Sequence, residues 1–258
     1  MNLTILRFET LASTNTEAAS QARRGADEGL CVAARRQTAG RGRHGRVWLS
    51  EKDAGLYFSI VLRPRIETRF LPLLTFAAAV AVHDALETLY RFDCDIKWAN
   101  DVHVGGKKIC GILAETVETA KGLAIVVGIG VNLKSSGFPP EIAEIATSVE
   151  AEIGAAPNAE KLLETLTQNF AADYEILQND DGAQIIREKW TDRSSYANEK
   201  EVRVQTETET FDGTTDGIEE TGALRVRAAA GALKIVHAGE VTRLRQTNRH
   251  APPTTHRC

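Results

Sequence analysis

Methionine occurs once in this 258-residue chain, at its start, aromatic residues make up only 6%, and cysteine is confined to Cys31, Cys94, Cys110 and Cys258. The wide spacing of the cysteines offers no close pair for a zinc or dithiol redox centre, and reduced thiols are expected. Cys31 and Cys110 stand among aliphatic neighbours, which predicts buried, reduced thiols. No basic leader with a long apolar core follows Met1. The most apolar stretch, 71–89, is broken by Pro72, His83, Asp84 and Glu87 and has helical spacing. It reads as a core helix and not a membrane span, so a cytoplasmic protein without a membrane partner is expected. Thirty-one basic residues face 35 acidic ones, for a net charge of −4, and no basic stripe with interleaved aromatics exists to grip nucleic acid.

Against that acidic background stands Gly40-Arg41-Gly42-Arg43-His44-Gly45-Arg46. Glycines admit close backbone approach and arginines supply forked donors, so the segment reads as a clamp for carboxylate or phosphate. Its glycines also satisfy G-x-G-x-x-G, but a dinucleotide fingerprint opens a helix, whereas Arg46-Val47-Trp48-Leu49-Ser50 leads into a strand pattern. A Walker loop fails because Arg46-Val47 stands where Lys and a hydroxyl residue are required.

Strand patterns fall at 3–8, 31–34 and 56–62, with a helix from a capping-box-like Ser13-Thr14-Asn15-Thr16-Glu17 to Gly25. Gly105-Gly106 between β-formers predicts a tight hairpin over 102–109, and near-continuous apolar runs at 109–117 and 123–131 predict central strands. Alternation beyond the hairpin sends Lys107 and Lys108 to opposite faces. Helices are expected at 159–177 and 183–190. After about Ser194, short β-prone pieces at 201–206, 223–228, 232–236 and 240–245 predict a small separate β-domain, and 247–258, with Pro252-Pro253, a disordered tail.

Lys97-Trp98-Ala99-Asn100-Asp101 and Lys108-Ile109-Cys110-Gly111-Ile112-Leu113-Ala114-Glu115 follow the arginine loop, and Gly128-Ile129-Gly130-Val131-Asn132 follows them. Together these segments resemble the biotin protein ligases, with Ala99 in place of that family's usual Pro. The resemblance runs to about Arg245. It implies an α+β fold in three parts. Residues 1–194 would form a class II aminoacyl-tRNA synthetase-like catalytic domain with a mixed sheet flanked by helices, 195–246 a small SH3-like β-barrel, and 247–258 the tail. No counterpart of the winged helix-turn-helix of repressor-type members is seen, so DNA is not an expected partner.

The activity implied is ligation. Biotin and ATP form biotinyl-5′-AMP with Mg²⁺, and biotin then passes to a lysine of a biotin carboxyl carrier protein domain. Ser13, Thr14, Asn15, Gln37, Gly40, Arg41, Gly42, Arg43, Lys108 and Gly111 would bind biotin. Arg41, Arg43, Trp48, Asn100, Lys108 and Asn132 would meet ATP or the adenylate, and Lys108, Arg43 and Asp101 would be catalytic. No residue is assigned to a resident metal. The rivals are a lipoate or octanoate ligase or transferase of the same fold, and a non-catalytic sensor of biotinyl-adenylate. Homodimerisation through an exposed sheet edge is left open.

Overall fold

A computed structural model describes residues 1, 3–136 and 138–243; the expected tail and the end of the strand expected at 240–245 lie outside them. In chain order the elements are β1 (Thr4–Phe8), α1 (Thr14–Arg23), β2 (Leu30–Ala34), β3 (Gly55–Leu62), α2 (Leu73–Tyr90), β4 (Cys94–Lys97), β5 (Asp101–Val104), β6 (Lys107–Thr119), β7 (Gly122–Asn132), α3 (Pro140–Ala143), α4 (Val149–Ile153), α5 (Ala159–Leu177), α6 (Gly182–Asp192), β8 (Asn198–Gln205), β9 (Thr210–Ile218), β10 (Leu224–Ala228), β11 (Leu233–Val236) and β12 (Glu240–Arg243). Seven strands build a mixed sheet in the order β1-β2-β3-β7-β6-β5-β4, parallel only at β1–β2. Five build an antiparallel sheet in the order β11-β10-β9-β8-β12. This is the expected α+β fold with a small SH3-like C-terminal unit.

Strand β7 shows how the large sheet divides its faces. Ile125, Val127, Ile129 and Val131 point into the main core under α2, α5 and α6. Ala124 and Val126 point the other way and pack with Ala18 and Ala22 of α1. Period-two alternation therefore buries both faces with one strand. Residues 68–90 are apolar enough in length and composition to cross a membrane. Here α2 instead lies inside the core, where Phe76 stacks on Trp190 of α6 with ring centroids 4.5 Å apart.

The hairpin forms as expected, with Gly105 and Gly106 at φ 57° and 80°, the positive angles a tight two-residue turn demands. Two strands escape the sequence patterns. β4 is only four residues long, and β9 carries Asp212, Gly213, Asp216 and Gly217, residue types depleted in strands. The capping box does not form either. The Ser13 side chain caps nothing, and Gln37 Oε1 accepts the Thr14 backbone N–H at 2.8 Å.

Asp84 of α2 ties that helix to the end of α6, accepting from Arg193 Nε at 2.6 Å and Nη2 at 3.0 Å. Burial alone would raise its pKa, but hydrogen bonds from His83 and Arg193 outweigh this and hold the carboxyl below the ordinary value of 3.8. A depressed folded-state pKa contributes stability that is present above the unfolded value and lost as pH falls through the folded one. Asp84→Asn is therefore expected to cost about 1–3 kcal/mol at neutral pH. Thermal unfolding should show the gap to the parent closing below the ordinary Asp value, and a pH-independent gap would contradict the assignment.

Candidate active site

On the α1 side of the sheet, the row Ala124, Val126 continues as Gly128, Gly130 and Asn132. Gly111 of β6 lies opposite Gly130, and Ser59 of β3 opposite Gly128. Three missing side chains thus leave bare main chain beyond the end of α1. The space above it is used at once. A Cβ on Gly128 would lie 1.9 Å from Asn15 Oδ1, one on Gly130 2.7 Å from Trp48 Nε1, and one on Gly111 2.9 Å from the Trp48 ring and 3.2 Å from Lys108 Nζ.

The start of α1 supplies a polar wall. Ser13, Thr14 and Asn15 are all buried. Asn15 Nδ2 donates to Glu115 Oε2 at 2.7 Å and Leu113 O at 3.2 Å. Ser59 Oγ lies 2.6 Å from Asn15 Oδ1 and 2.8 Å from Thr14 Oγ1, so its single proton serves one of them at a time. Gln37 accepts from both the backbone and the hydroxyl of Thr14 and donates to Ser50 Oγ at 2.8 Å. These buried groups form one connected network.

The arginine segment joins β2 to β3 as a small hairpin of its own. Trp48 N donates to Gly40 O at 2.9 Å and Gly42 N to Arg46 O at 2.7 Å, with Arg41 bridged to Val47 between them. Its tip is a 3-10 turn, Arg43–Gly45, with His44 and Gly45 at φ 54° and 73°. Gly40 is required for close approach, since a Cβ there would meet Trp48 O at 2.3 Å. Each arginine has its own acceptor. Arg41 Nη2 lies 2.8 Å from Glu115 Oε2, Arg43 Nη1 donates to Asn100 Oδ1 at 3.1 Å, and Arg46 pairs with Glu240 of β12. Burial pulls the Arg43 pKa below the usual guanidinium range, while Asp101 and Glu240 oppose the shift.

Lys108 stands at the far end of the glycine floor, Nζ 2.6 Å from Asp101 Oδ1 and 5.3 Å from the Trp48 ring centre. Simple alternation would put Lys108 and Gly111 on opposite faces. A register shift in the β5–β6 pairing, where His103 faces Lys108 but Val102 faces Cys110, brings both to the site. Bulges commonly re-aim side chains in this way. Lys107 points out to Ala143 O, as the alternation predicts. Lys97, in register with Asp101, has its pKa lowered by burial and further by Lys108, with Asp101 opposing. Asn132 uses its amide on the main chain of Lys108 and Thr147, so it braces the segment beside Lys108.

The structure thus brings all the sequence-predicted residues, Ser13, Thr14, Asn15, Gln37, Gly40, Arg41, Gly42, Arg43, Trp48, Asn100, Asp101, Lys108, Gly111 and Asn132, to one face of the large sheet and its covering loop. Sequence reasoning overlooked Ser59, Ser50, Lys97, Glu115, Gly128, Gly130 and Glu240 as site residues. Lys97, Glu115, Gly128 and Gly130 lay within motifs already singled out; nothing local marks Ser50, Ser59 or Glu240. A cleft of about 450 Å³ opens between the two sheets, lined among others by Arg43, Trp98, Asn100, Leu113, Gly222 and His237. Among the described residues, one trio has metal-ligand spacing, His83, Asp84 and Glu87. It lies on α2, and Arg193 and His83 already engage Asp84.

Comparison with known proteins agrees with this geometry. The model of the biotin/lipoate A/B protein ligase family matches residues 8–132, and that of the biotin protein ligase C-terminal domain matches 199–243. The biotin–[acetyl-CoA-carboxylase] ligase of Paracoccus denitrificans is 36% identical over 89% of this chain and 96% of its own. The bifunctional ligase/repressor BirA of Bacillus subtilis is 35% identical over 91% of this chain and 72% of its own. A solved structure of Aquifex aeolicus biotin protein ligase in complex with biotin and ATP superposes with a TM-score of 0.81 at 27% identity, covering 93% of this chain and 97% of that one. Agreement of this extent, reaching through both sheets, establishes that the chain belongs to the biotin protein ligase family.

Proposed function

We propose that the protein is an ATP-dependent biotin protein ligase that makes biotinyl-5′-AMP and then biotinylates a lysine of a carrier domain. The observation that carries the reading is the glycine floor at Gly111, Gly128 and Gly130, walled by Asn15 and overhung by Arg41, Arg43 and Lys108. Asn15 and Trp48 lie directly on that floor, and a flat bicyclic head group with a carboxylate tail would bind beside them. Polar groups of Thr14, Asn15 and Gln37 meet the head, and the cations meet the tail and the ATP α-phosphate. A lipoyl ring, lacking ureido donors and acceptors, would make no hydrogen bonds to that polar wall, which disfavours it. The match of the small β-unit to a biotin-ligase C-terminal domain supports the same choice.

In the first step a biotin carboxylate oxygen bonds to the α-phosphorus, the bond to the bridging oxygen of the β-phosphate breaks, and pyrophosphate leaves. Both reactants are anions, so cations at the reacting centre lower the barrier. Lys108 lies between the two, and Asp101 holds its ammonium in place. In the second step the carrier lysine amine attacks the acyl carbon and AMP leaves; Asp101 orients that amine. Neither step uses an enzyme nucleophile. The buried thiols of Cys31 and Cys94, pushed up to about 12 chiefly by burial, fit that absence of covalent catalysis.

Asp101 is the carboxylate that pairs with Lys108 among the described residues, through its Oδ1. That donor set suits Mg²⁺, which binds through one or two carboxylates together with substrate phosphates. The ion would supply charge neutralisation of the leaving pyrophosphate. The acceptor is a biotin carboxyl carrier domain such as that of acetyl-CoA carboxylase. Beyond Asn100, which bonds Ile112 on both sides, no described strand covers the outer edge of β6 over 113–119, which offers backbone groups to a carrier strand or a second copy. Free cysteines Cys31, Cys94 and Cys110 suit work in the reducing cytosol.

Incubation with ATP, Mg²⁺, biotin and a carrier domain is expected to add biotin to one carrier lysine by mass spectrometry. No addition would sink the reading. Lys108→Ala should lower biotin-dependent ATP–pyrophosphate exchange by ~10²–10³-fold, and exchange near the parent rate would refute its role. Gly128→Ala should raise the biotin KM at least ~10-fold, about 1.4 kcal/mol, because the new methyl displaces Asn15. An unchanged biotin KM would remove the floor from the account. Arg43→Gly should release free adenylate, detectable by chromatography, while synthesis persists.

A further inference from the structure

Of the three arginines in the loop, Arg41 and Arg43 bond within the large sheet's own side chains and have roles in the reaction, whereas Arg46 reaches out of it. Its partner, Glu240, begins β12 in the small sheet. The residue before it is fixed by contact, since a Cβ on Gly239 would meet Gln205 O at 2.7 Å. Glu240 is itself in register with Gln205 of β8. Its backbone is therefore held by the small sheet.

Arg46 is coupled just as firmly to the clamp. Its carbonyl accepts from Gly42 N at 2.7 Å and its amide donates to Arg43 O at 3.1 Å. Shifting Arg46 must therefore shift both Gly42 and Arg43. Other described ties between the two units, among them Arg69 to Glu220 at 2.6 Å, Trp98 Nε1 to Gly222 O at 3.0 Å and Ser195 N to Asp95 Oδ1 at 2.7 Å, involve neither the loop nor its arginines.

We infer that Glu240 is a positioning residue for ligation, acting through Arg46 to latch the arginine hairpin over the site, so that the C-terminal unit forms part of the lid on the adenylate. This inference rests on the ligase reading above. A pair exposed as this one is, with side chains 65% and 35% accessible, is weak and quickly broken. That strength suits a latch which must yield when the carrier arrives. An acyl-adenylate is prone to hydrolysis, so holding the lid shut before then protects the intermediate. The pair also joins a charge cluster. Hydrogen bonding from Arg46 holds the Glu240 carboxyl below the ordinary range, and Lys97 and His44 add to it.

The test is the amount of free biotinyl-adenylate released per pyrophosphate formed, measured without carrier on the full chain and four variants: Glu240→Gln, Glu240→Arg, Arg46→Glu, and the double charge reversal. Glu240→Gln should leak at least ~3-fold more than the parent, within the range that losing one exposed ion pair allows. Either single reversal should leak at least ~5-fold more, as like charges now face each other. The double reversal should return the ratio to within about twofold of the parent, since it restores the pair with its polarity exchanged. Unchanged leakage in Glu240→Arg, or a double variant that leaks like Arg46→Glu, would overturn the latch. Thermal unfolding of each variant checks that it folds, and the milder Glu240→Gln decides the matter if a reversal does not. A parent that forms no adenylate would instead defeat the ligase reading.

Discussion

Two side chains of this site, Asn15 and Trp48, sit closer to the sheet than any neighbour with a Cβ would permit. Asn15 Oδ1 occupies the place of a Gly128 methyl and Trp48 that of methyls on Gly130 and Gly111. The rest of the site follows from that steric allowance. Asn15 can reach Glu115 and Leu113 only by lying on the floor, Glu115 is then placed to hold Arg41, and the indole can lie flat beside Lys108. A strand with ordinary side chains at these positions would have been a stronger sheet and no site, because glycine weakens strand interiors unless something approaches the backbone.

A protein of net charge −4 also has to keep a cluster of cations from repelling itself apart. It does so with acceptors drawn from four places: Glu115 on β6, Asn100 before β5, Asp101 on β5 and Glu240 on β12. Such pairing preorganises donors without burying them dry, which leaves them able to exchange partners with an anionic substrate. The two sheets meet around the same loop, so chemistry and domain contact share residues.

Much of this was legible in the chain because the signals are local. The Gly105-Gly106 turn, the alternation of Lys107 with Lys108 and the failure of the arginine loop to open a helix each depend on a few adjacent residues, and the fold bears them out. Features set by distant contacts were not legible. The Thr14 amide is capped by Gln37, 23 residues away, so Ser13 and Glu17 gave a false capping signal. Strand β9 pairs on both sides despite Asp212, Gly213, Asp216 and Gly217, since its neighbours satisfy its backbone where propensity would not. The bulge that turns Lys108 toward Gly111 has no marker in Ile109 or Cys110, both of them ordinary core residues.

The central claim is that the glycine floor and its cations select biotin for activation by ATP. It is tested most directly by ATP–pyrophosphate exchange with Mg²⁺, run in parallel with biotin, lipoate, octanoate and no acid. The account predicts exchange with biotin alone. Exchange driven by lipoate or octanoate, or none with any acid, would contradict it.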